Sequence, residues 1–225
     1  TLSISLKNRR MGDDCVYRSL EIFLFDIDLI SRHFLAVYFL FIAVHYASTA
    51  IGLNSRTSKS HIQYGEKGSA TWWIRQVFNL FRGAILLICI ARVFYPIDTW
   101  LGIIEPLYTP WVLSIGMLTM LVSLGFVSYS HAYMRQDWRS GIDSDNSRAL
   151  LTKGPFSHSR NPMFLAIMLG QLGLFLALPS LFTLVCLLVG VAMVHAQAIK
   201  EEHALNELYG KEYQNYKAQV PRWLF

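Results

Sequence analysis

No Asp, Glu, Lys or Arg occurs between Arg160 and Lys200. At a rise of ~1.5 Å per residue, this uncharged stretch is long enough for two helical crossings of a hydrocarbon core that is ~30 Å thick. Pro179 lies near its midpoint, where a residue without an amide hydrogen ends one helix and begins a turn. The stretch therefore predicts two spanning helices joined as a hairpin. A pair of core helices in a soluble protein is the alternative.

Other apolar stretches of similar length precede the hairpin. Runs of ~20 mostly apolar residues without acidic side chains are typical of spanning helices. The predicted spans are residues 34–53, 77–95, 111–129, 163–178 and 180–199. The composition agrees, because 53% of the 225 residues are hydrophobic and only 16% are charged. We expect an all-α, polytopic membrane protein with about five transmembrane helices.

Charged residues lie near the first two predicted spans. Residues 20–30 are apolar but include Glu21 and Asp28, which predicts an interfacial helix, with a packing strand as the alternative. Arg82 and Arg92 lie near the ends of the second span, where long side chains are expected to reach the headgroups. The predicted division is an N-terminal interfacial segment (1–33), three transmembrane helices (34–130) and a catalytic region (131–225).

Basic residues are concentrated in residues 54–76, in residues 131–160 and in the tail after Ile199. Short loops rich in Lys and Arg remain on the cytoplasmic side, so these segments are predicted to be cytoplasmic. Five spans then place the N-terminus outside, but the five basic residues before the first span leave its orientation open: Lys7, Arg9, Arg10, Arg18 and Arg32. The net charge is +5, but the basic residues do not form one patch, which favours lipid headgroups over nucleic acid as the partner. The three cysteines are far apart and predict neither a disulfide framework nor a metal site.

The segments that enter and leave the hairpin are predicted on the same face of the membrane, so their polar side chains can meet. The entering segment contains a leucine pair, a Gly-Pro-Phe turn and an Arg-Asn-Pro-x-Phe motif: Leu150, Leu151, Gly154, Pro155, Phe156, Arg160, Asn161, Pro162, Met163 and Phe164. The leaving segment contains a glutamate pair and a Gly-x-x-Tyr-x-x-Tyr motif: Glu201, Glu202, Gly210, Tyr213 and Tyr216. Together they offer enough polar groups for a charged cofactor.

In order and spacing, these motifs resemble the isoprenylcysteine carboxyl methyltransferase family and its phospholipid N-methyltransferase relatives. That family has a leucine pair, an Arg-His-Pro-x-Tyr motif, an apolar hairpin, a Glu-Glu pair and a Gly-x-x-Tyr-x-x-Tyr tail. The resemblance covers about residues 138–223. It implies S-adenosylmethionine as cofactor and a cytoplasmic pocket. It also implies a membrane lipid or lipid-linked acceptor that reacts through an amine, thiol, hydroxyl or carboxylate.

The resemblance also implies roles for individual residues. The first glutamate, Glu201, contacts the cofactor. The other implied cofactor contacts lie in the entering segment: Arg148, Ala149, Leu150, Leu151, Phe156, Arg160, Asn161, Pro162, Met163 and Phe164. Amides at the start of the helix after Pro162 suit a carboxylate. Apart from the resemblance, the titratable candidates for accepting the acceptor's proton are Glu202, His158 and His195, with a hydrogen-bonded structural histidine as the alternative for His195.

The chain departs from the family at several positions. Asn161 replaces the motif's His and cannot titrate near neutral pH. Gln197 occupies the position of a substrate-side arginine, which argues against a carboxylate acceptor because a neutral amide pairs poorly with an anion. A sterol-reductase-like enzyme that uses NADPH has a similar motif, but that motif continues with Gly-Glu where this chain has Leu165 and Ala166. A non-catalytic membrane binding or scaffold protein is the third hypothesis.

Overall fold

The computed structural model describes residues 23–45, 48, 68, 70–135 and 150–224. These residues form seven α-helices: α1 (Phe23–His45), α2 (Ala70–Phe94), α3 (Asp98–Leu101), α4 (Pro110–Arg135), α5 (Pro162–Ala177), α6 (Leu181–Tyr209) and α7 (Lys211–Gln219). Short 3-10 helices cover Glu105–Leu107 and Gly154–Ser157. The described residues contain no β-strand beyond one isolated bridge between Ile103 and Ser180. The all-α prediction is confirmed.

Four helices are long and apolar enough to cross a membrane: Phe23–His45, Gln76–Phe94, Pro110–Met134 and Leu181–Tyr209. The helix Pro162–Ala177 is apolar but shorter. These five helices correspond to the five predicted spans, and the chain is a polytopic membrane protein. Many large apolar side chains on their outer faces are exposed, as lipid-facing residues are.

The first helix begins at Phe23 rather than at Phe34 and continues to His45. It therefore includes residues 23–30, which the sequence suggested as a separate interfacial helix, and it crosses the predicted boundary at residue 33. The physical reason is local charge pairing. The Arg32 Nε atom lies 2.7 Å from the Asp28 carboxylate one helical turn away, so the acidic residue that indicated an interface is neutralised within the helix.

Helices α4 and α5 pack against each other through small residues. A Cβ atom added at Gly116 would lie 2.2 Å from the Ala177 backbone nitrogen. One added at Gly173 would lie 2.7 Å from the Met120 side chain. The Ser123 hydroxyl donates a 2.7 Å hydrogen bond to the Ala166 carbonyl. Small residues and interhelical hydrogen bonds are the usual means of association where lipid replaces water.

The predicted hairpin is present, with Leu178–Ser180 between α5 and α6. Ser180 caps α6, because its hydroxyl accepts from the Thr183 amide at 3.2 Å while the Thr183 hydroxyl accepts from the Ser180 amide. This capping box satisfies amides that would otherwise be unpaired at the helix start. The Pro179 carbonyl accepts from the Ile104 amide at 2.9 Å. The segment before α4 therefore packs on the turn.

A buried ionic cluster lies at the same end of the molecule as this turn. Arg92 is only 1% exposed. Its Nε atom lies 2.6 Å from Asp98 Oδ1, and its Nη2 atom lies 3.3 Å from Asp28 Oδ1. Arg32 pairs with both aspartates, and the Tyr108 hydroxyl donates to Asp28. The prediction that Arg92 reaches the headgroups is wrong, because two carboxylates satisfy its charge inside the protein.

The two ends of the helical bundle are chemically different. The turn end contains Pro179, the ionic cluster and the start of α4. The loop end contains the segment 150–161, the end of α4 and the C-terminal tail. A hydrogen bond from the Ser31 hydroxyl to the Ala177 carbonyl, 2.8 Å long, fixes the N-terminal half of α1 at the turn end. The motif residues all belong to the loop end.

Candidate active site

The turn that precedes α5 is held in place from two sides. Gly154 adopts φ +62°, a left-handed conformation that favours glycine, and a Cβ atom there would lie 2.5 Å from the Tyr133 ring of α4. On the other side, the Tyr216 hydroxyl of α7 donates a 2.6 Å hydrogen bond to the Phe156 carbonyl. Burial raises the pKa of Tyr216 to about 12. The hydroxyl therefore keeps its proton and remains a donor at neutral pH.

Asn161 joins the start of α5 to α6. It occupies the N-cap position with Pro162 at the first helical residue, and no side chain caps the first amides of α5. Instead, the Asn161 Nδ2 atom donates a 2.8 Å hydrogen bond to Glu202 Oε1. The amide thus still provides the donor that a histidine at this motif position would offer, without the ability to titrate.

Glu202 is buried in a cluster of cationic and polar donors. It is 5% exposed, and its carboxylate lies 3.0 Å from Arg160 Nη2 and 2.8 Å from Arg222 Nε. A second contact to Arg222, from Nη2, is 3.2 Å long. Hydrogen bonding to Glu202 raises the pKa of the Arg222 guanidinium. The carboxylate therefore has charge-assisted partners on both oxygen atoms, which is the condition for burying a charge without a large penalty.

The C-terminal tail, residues 220–224, is bound to the same cluster through its backbone. The Arg160 amide donates to the Pro221 carbonyl at 2.9 Å, and Arg160 Nη1 donates to the Val220 carbonyl at 2.7 Å. The Ser159 hydroxyl donates to the Arg222 carbonyl at 3.0 Å. The tail thus closes one side of the motif region. Arg160 thus joins the tail to Glu202.

Glu201 lies in surroundings different from those of its neighbour Glu202. Its side chain is exposed on α6, and one oxygen accepts a 3.1 Å hydrogen bond from Gln197 Nε2. No cation pairs with it among the described residues. Its carboxylate is consequently available to a ligand. Gln197, the residue predicted on the substrate side, lies one helical turn away on the same face.

The two histidine candidates lie on different elements. His158 is exposed in the turn before α5, with its Nδ1 atom 3.0 Å from the Ser157 hydroxyl. His195 is exposed on α6, and its ring centroid lies 6.0 Å from that of Trp223 in the tail. In the described parts of the chain, no hydrogen bond links any two of Glu202, His158 and His195.

A cavity of about 460 Å³ lies at the loop end. Phe126 and Tyr129 of α4, Leu165 of α5 and Leu224 of the tail form its apolar walls, and Ser157 and His158 form its polar side. Its volume is within the range of small-molecule sites, which are mostly apolar with a few polar groups. Of the three predicted proton acceptors, only His158 contacts this cavity.

The structure brings most of the predicted cofactor residues into one region. Leu150, Leu151, Phe156 and the stretch 160–164 form the turn and the first turn of α5, and the Asn161–Glu202 hydrogen bond places them beside α6 next to Glu201. Arg148 and Ala149 lie outside the described residues. The roles of all these residues as ligand contacts stay predictions.

Sequence reasoning missed the partners that hold this region together. The pairing of Arg222 with Glu202, the Tyr216 bond to the turn and the positions of Trp223 and Leu224 had no local signal, because each partner lies on a distant part of the chain. One signal was available for Glu202. Val194, Ala198 and Glu202 recur every four residues and form the buried face of α6, so a carboxylate on that face requires cationic partners.

Comparison with known proteins points to the part of the chain that contains most of the motif residues. The family model described as phospholipid methyltransferase matches residues 111–212. Neither the curated proteins nor the solved structures gave a match. The family match takes in α4, which the motif resemblance from about residue 138 did not, and it ends within α7 before the tail. Over residues 111–212, which contain α4 to α6 and most of the motif residues but not the tail, the chain is thus similar to the phospholipid methyltransferase family.

Proposed function

We propose that this protein transfers a methyl group from S-adenosylmethionine to a lipid-like acceptor at the cytoplasmic face of the membrane. The observation that carries the proposal is the convergence of the two motif segments inside the family match. Arg160 and Glu202, which are far apart in the sequence, meet at 3.0 Å and bring the start of α5 beside the glutamate pair. Membrane methyltransferase activity is what the family indicates.

The residues at this junction fit the cofactor by their chemistry. The amino-acid end of S-adenosylmethionine carries a carboxylate and an ammonium group, and its sulfonium supplies an activated methyl group. The α5 start has no side-chain cap, so its first amides suit a carboxylate. Glu201 is exposed and not ion-paired in the described structure, so its charge suits the ammonium, a ribose hydroxyl or the sulfonium.

Glu202 and Arg160 are best suited to hold the elements around this pocket in place. Both oxygens of Glu202 accept hydrogen bonds from Arg160, Asn161 or Arg222, so the carboxylate has little capacity left for an acceptor's proton. We assign it the task of fixing α5 and the tail against α6. Orientation of donor and acceptor is the main requirement for in-line methyl transfer, because the methyl group is already activated.

His158 is then the best-placed group for the acceptor's proton. It lies in the turn between the leucine pair and Asn161 and contacts the cavity. An amine, hydroxyl or thiol can pass its proton to the imidazole as the new bond to carbon forms. Gln197 in place of an arginine disfavours a carboxylate acceptor.

Basic residues support a cytoplasmic position for this end. Lys153, Arg160, Lys200, Lys211, Lys217 and Arg222 all belong to the loop end. In contrast, residues 96–110 and the Pro179 turn at the opposite end contain no Lys or Arg. This asymmetry is the one that orients membrane proteins.

Calorimetry of the detergent-purified protein tests the proposal. S-adenosylmethionine should bind saturably and S-adenosylhomocysteine should compete for the same site, whereas NADPH should not. We expect Glu201→Gln to weaken binding by about tenfold, the loss that corresponds to one favourable charge contact. Glu207→Gln, an exposed carboxylate further along α6, is the matched control. Equal effects of the two substitutions would contradict the role of Glu201, and binding of NADPH alone would favour a reductase.

A further inference from the structure

The outer face of α2 contains a polar side chain at the depth of the hydrocarbon. Trp73 near the start of the helix and Tyr95 just after its end are both exposed, as aromatic residues at the two membrane interfaces are. They are about 33 Å apart along the helix axis, which agrees with the ~30 Å thickness of the hydrocarbon. Asn79 is exposed between them, about 9 Å from the level of Trp73. Its amide therefore lies in the hydrocarbon.

The Asn79 amide has no hydrogen-bond partner among the described residues. Other polar side chains of the spanning helices do have partners. The Ser123 hydroxyl donates to a carbonyl of α5, and the Thr119 hydroxyl donates to the Ile115 carbonyl of its own helix at 2.7 Å. Lipid tails offer an amide neither a donor nor an acceptor, and an unpaired amide in hydrocarbon is unfavourable. Asn79 therefore requires a polar partner from another molecule in the membrane.

Gly83 lies one helical turn from Asn79 on the same side of α2. A Cβ atom added there would meet no atom within 4 Å. Leu80 and Leu87, which are 70% and 68% exposed, lie one turn before and one turn after Gly83. We call Asn79, Leu80, Gly83 and Leu87 the α2 face. Glycines allow the backbones of spanning helices to approach closely, and four others in this chain lie against a neighbouring helix: Gly116, Gly170, Gly173 and Gly190. The α2 face thus has the surface that accepts a helix.

The chemistry of the α2 face suits a second copy of the same helix. Two copies of one membrane protein have the same orientation in the bilayer, so a two-fold axis along the membrane normal makes their α2 helices parallel and places each residue opposite its counterpart. An amide contains both a donor and an acceptor, so Asn79 can pair with Asn79 of the second copy, which two carboxylates or two ammonium groups could not do. Gly83 lies about 6 Å further along the axis, where the absence of a side chain allows the close approach that these hydrogen bonds require.

We propose that the α2 face is the interface of a homodimer within the membrane. The two Asn79 amides form hydrogen bonds across the axis, the Gly83 residues are at the point of closest approach, and Leu80 and Leu87 pack on either side. The partner is a second copy of this chain. The proposal does not depend on methyl transfer, because the motif residues lie on other elements.

Sedimentation equilibrium of the full chain in density-matched detergent micelles tests the proposal. The wild-type protein should show a reversible monomer–dimer equilibrium that shifts with the ratio of protein to detergent. Asn79→Leu and Gly83→Leu should each raise the dimer dissociation constant by about tenfold, because the first removes hydrogen bonds between spanning helices and the second prevents close approach. Both positions are exposed in the single chain, so the helix content measured by circular dichroism should be unchanged. Either variant provides the test if the other does not fold.

Two positions of α4 provide matched controls. Thr119→Leu removes a polar group that bonds to its own helix, and Gly125→Leu fills an open position where no atom lies within 4 Å. Both should leave the dissociation constant unchanged. A wild-type protein that is monomeric at every ratio, as it would be if lipid or a different protein covered the α2 face, would overturn the proposal. A dimer that the α2 variants retain, or that the α4 variants weaken equally, would overturn it as well.

Discussion

Glu201 and Glu202 are adjacent in the sequence, but their side chains lie in different surroundings. Glu202 is on the face of α6 that also contains Val194 and Ala198, and it faces the turn and the tail. Glu201 is rotated by about 100° around the helix and is exposed. The two carboxylates are therefore suited to different tasks, ligand contact for Glu201 and structural support for Glu202.

Substitution of Glu202 by Gln is expected to destabilise the protein. The change leaves the buried Arg160 guanidinium without a counter-charge, and breaking one side of a buried ion pair costs about 3 kcal/mol. Thermal unfolding in detergent should show the loss as a lower Tm. Glu201→Gln should leave the Tm close to that of the wild type. A Glu202→Gln protein with unchanged Tm and reduced methyl transfer would instead favour a direct chemical role for Glu202.

Asn161 replaces the histidine of the family motif, and substitutions at this position test how the replacement affects stability. Asn161→Ala removes the 2.8 Å hydrogen bond to Glu202 and should cost about 2 kcal/mol, the value of a hydrogen bond to a charged group. Asn161→His restores a ring N–H donor and should retain most of the stability. The free energy of unfolding of both variants, measured in the same detergent, shows whether the hydrogen bond to Glu202 contributes to stability. Equal losses for Ala and His would show that the hydrogen bond contributes little.

Much of this site was predictable at the level of residue type. The leucine pair, the Arg-Asn-Pro-x-Phe motif and the glutamate pair identified the segments that the structure brings together. The different surroundings of Glu201 and Glu202 could be recognised only from the partners that each side chain has in the structure. Arg222 and Tyr216 reach the motif from the tail and from α7, and no spacing rule relates such distant positions.

Among the elements, the α4–α5 pair depends most on close backbone approach. Hydrophobicity predicted both helices, because uninterrupted apolar stretches are a strong signal. Their mutual contact was not predicted, since glycines within apolar stretches do not reveal which helix they meet. The start of α1 was also misplaced, because Asp28 indicated an interfacial segment although it pairs with Arg32 of the same helix and with Arg92 of α2.

Two glycines of α4 provide a matched test of this packing. Gly116→Ala places a methyl group against the backbone of α5 and is expected to destabilise the protein by about 2 kcal/mol through overpacking. Gly125→Ala places the same group where no atom lies within 4 Å, and it should be neutral or slightly stabilising because alanine favours the helix. Tm values of both variants in detergent provide the comparison. A loss at Gly125 equal to that at Gly116 would contradict the packing described here.

At the scale of the whole molecule, two charge clusters hold opposite ends of the bundle. The cluster around Glu202 fixes the loop end, and the cluster around Arg92 joins α1, α2 and α3 at the turn end. Because a bundle of spanning helices has no hydrophobic driving force between its members, such polar contacts contribute to its specificity. The two clusters are separated by the length of the spanning helices, so their functions should be separable by mutation.

Arg92→Ala is the corresponding experiment. Among the described residues it leaves Asp28 and Asp98 with Arg32 as their one cationic partner, and it should lower stability by about 3 kcal/mol. Binding of S-adenosylmethionine, measured by calorimetry below the lowered Tm, should be unchanged because the cluster is at the end remote from Glu201. Lys211→Ala, at an exposed position of α7, is the control and should preserve both quantities. Weaker cofactor binding in Arg92→Ala would indicate that the two ends are coupled.

The short length of α5 has a consequence for the surrounding bilayer. Its 16 residues extend over about 24 Å, less than the ~30 Å hydrocarbon thickness. Such hydrophobic mismatch is relieved when the bilayer thins beside the short helix. Thinning of this kind would bring lipid headgroups down to the first turn of α5, where the motif residues lie. The lipid acceptor that we propose would then present its head to the site by lateral diffusion alone, without being drawn out of its leaflet.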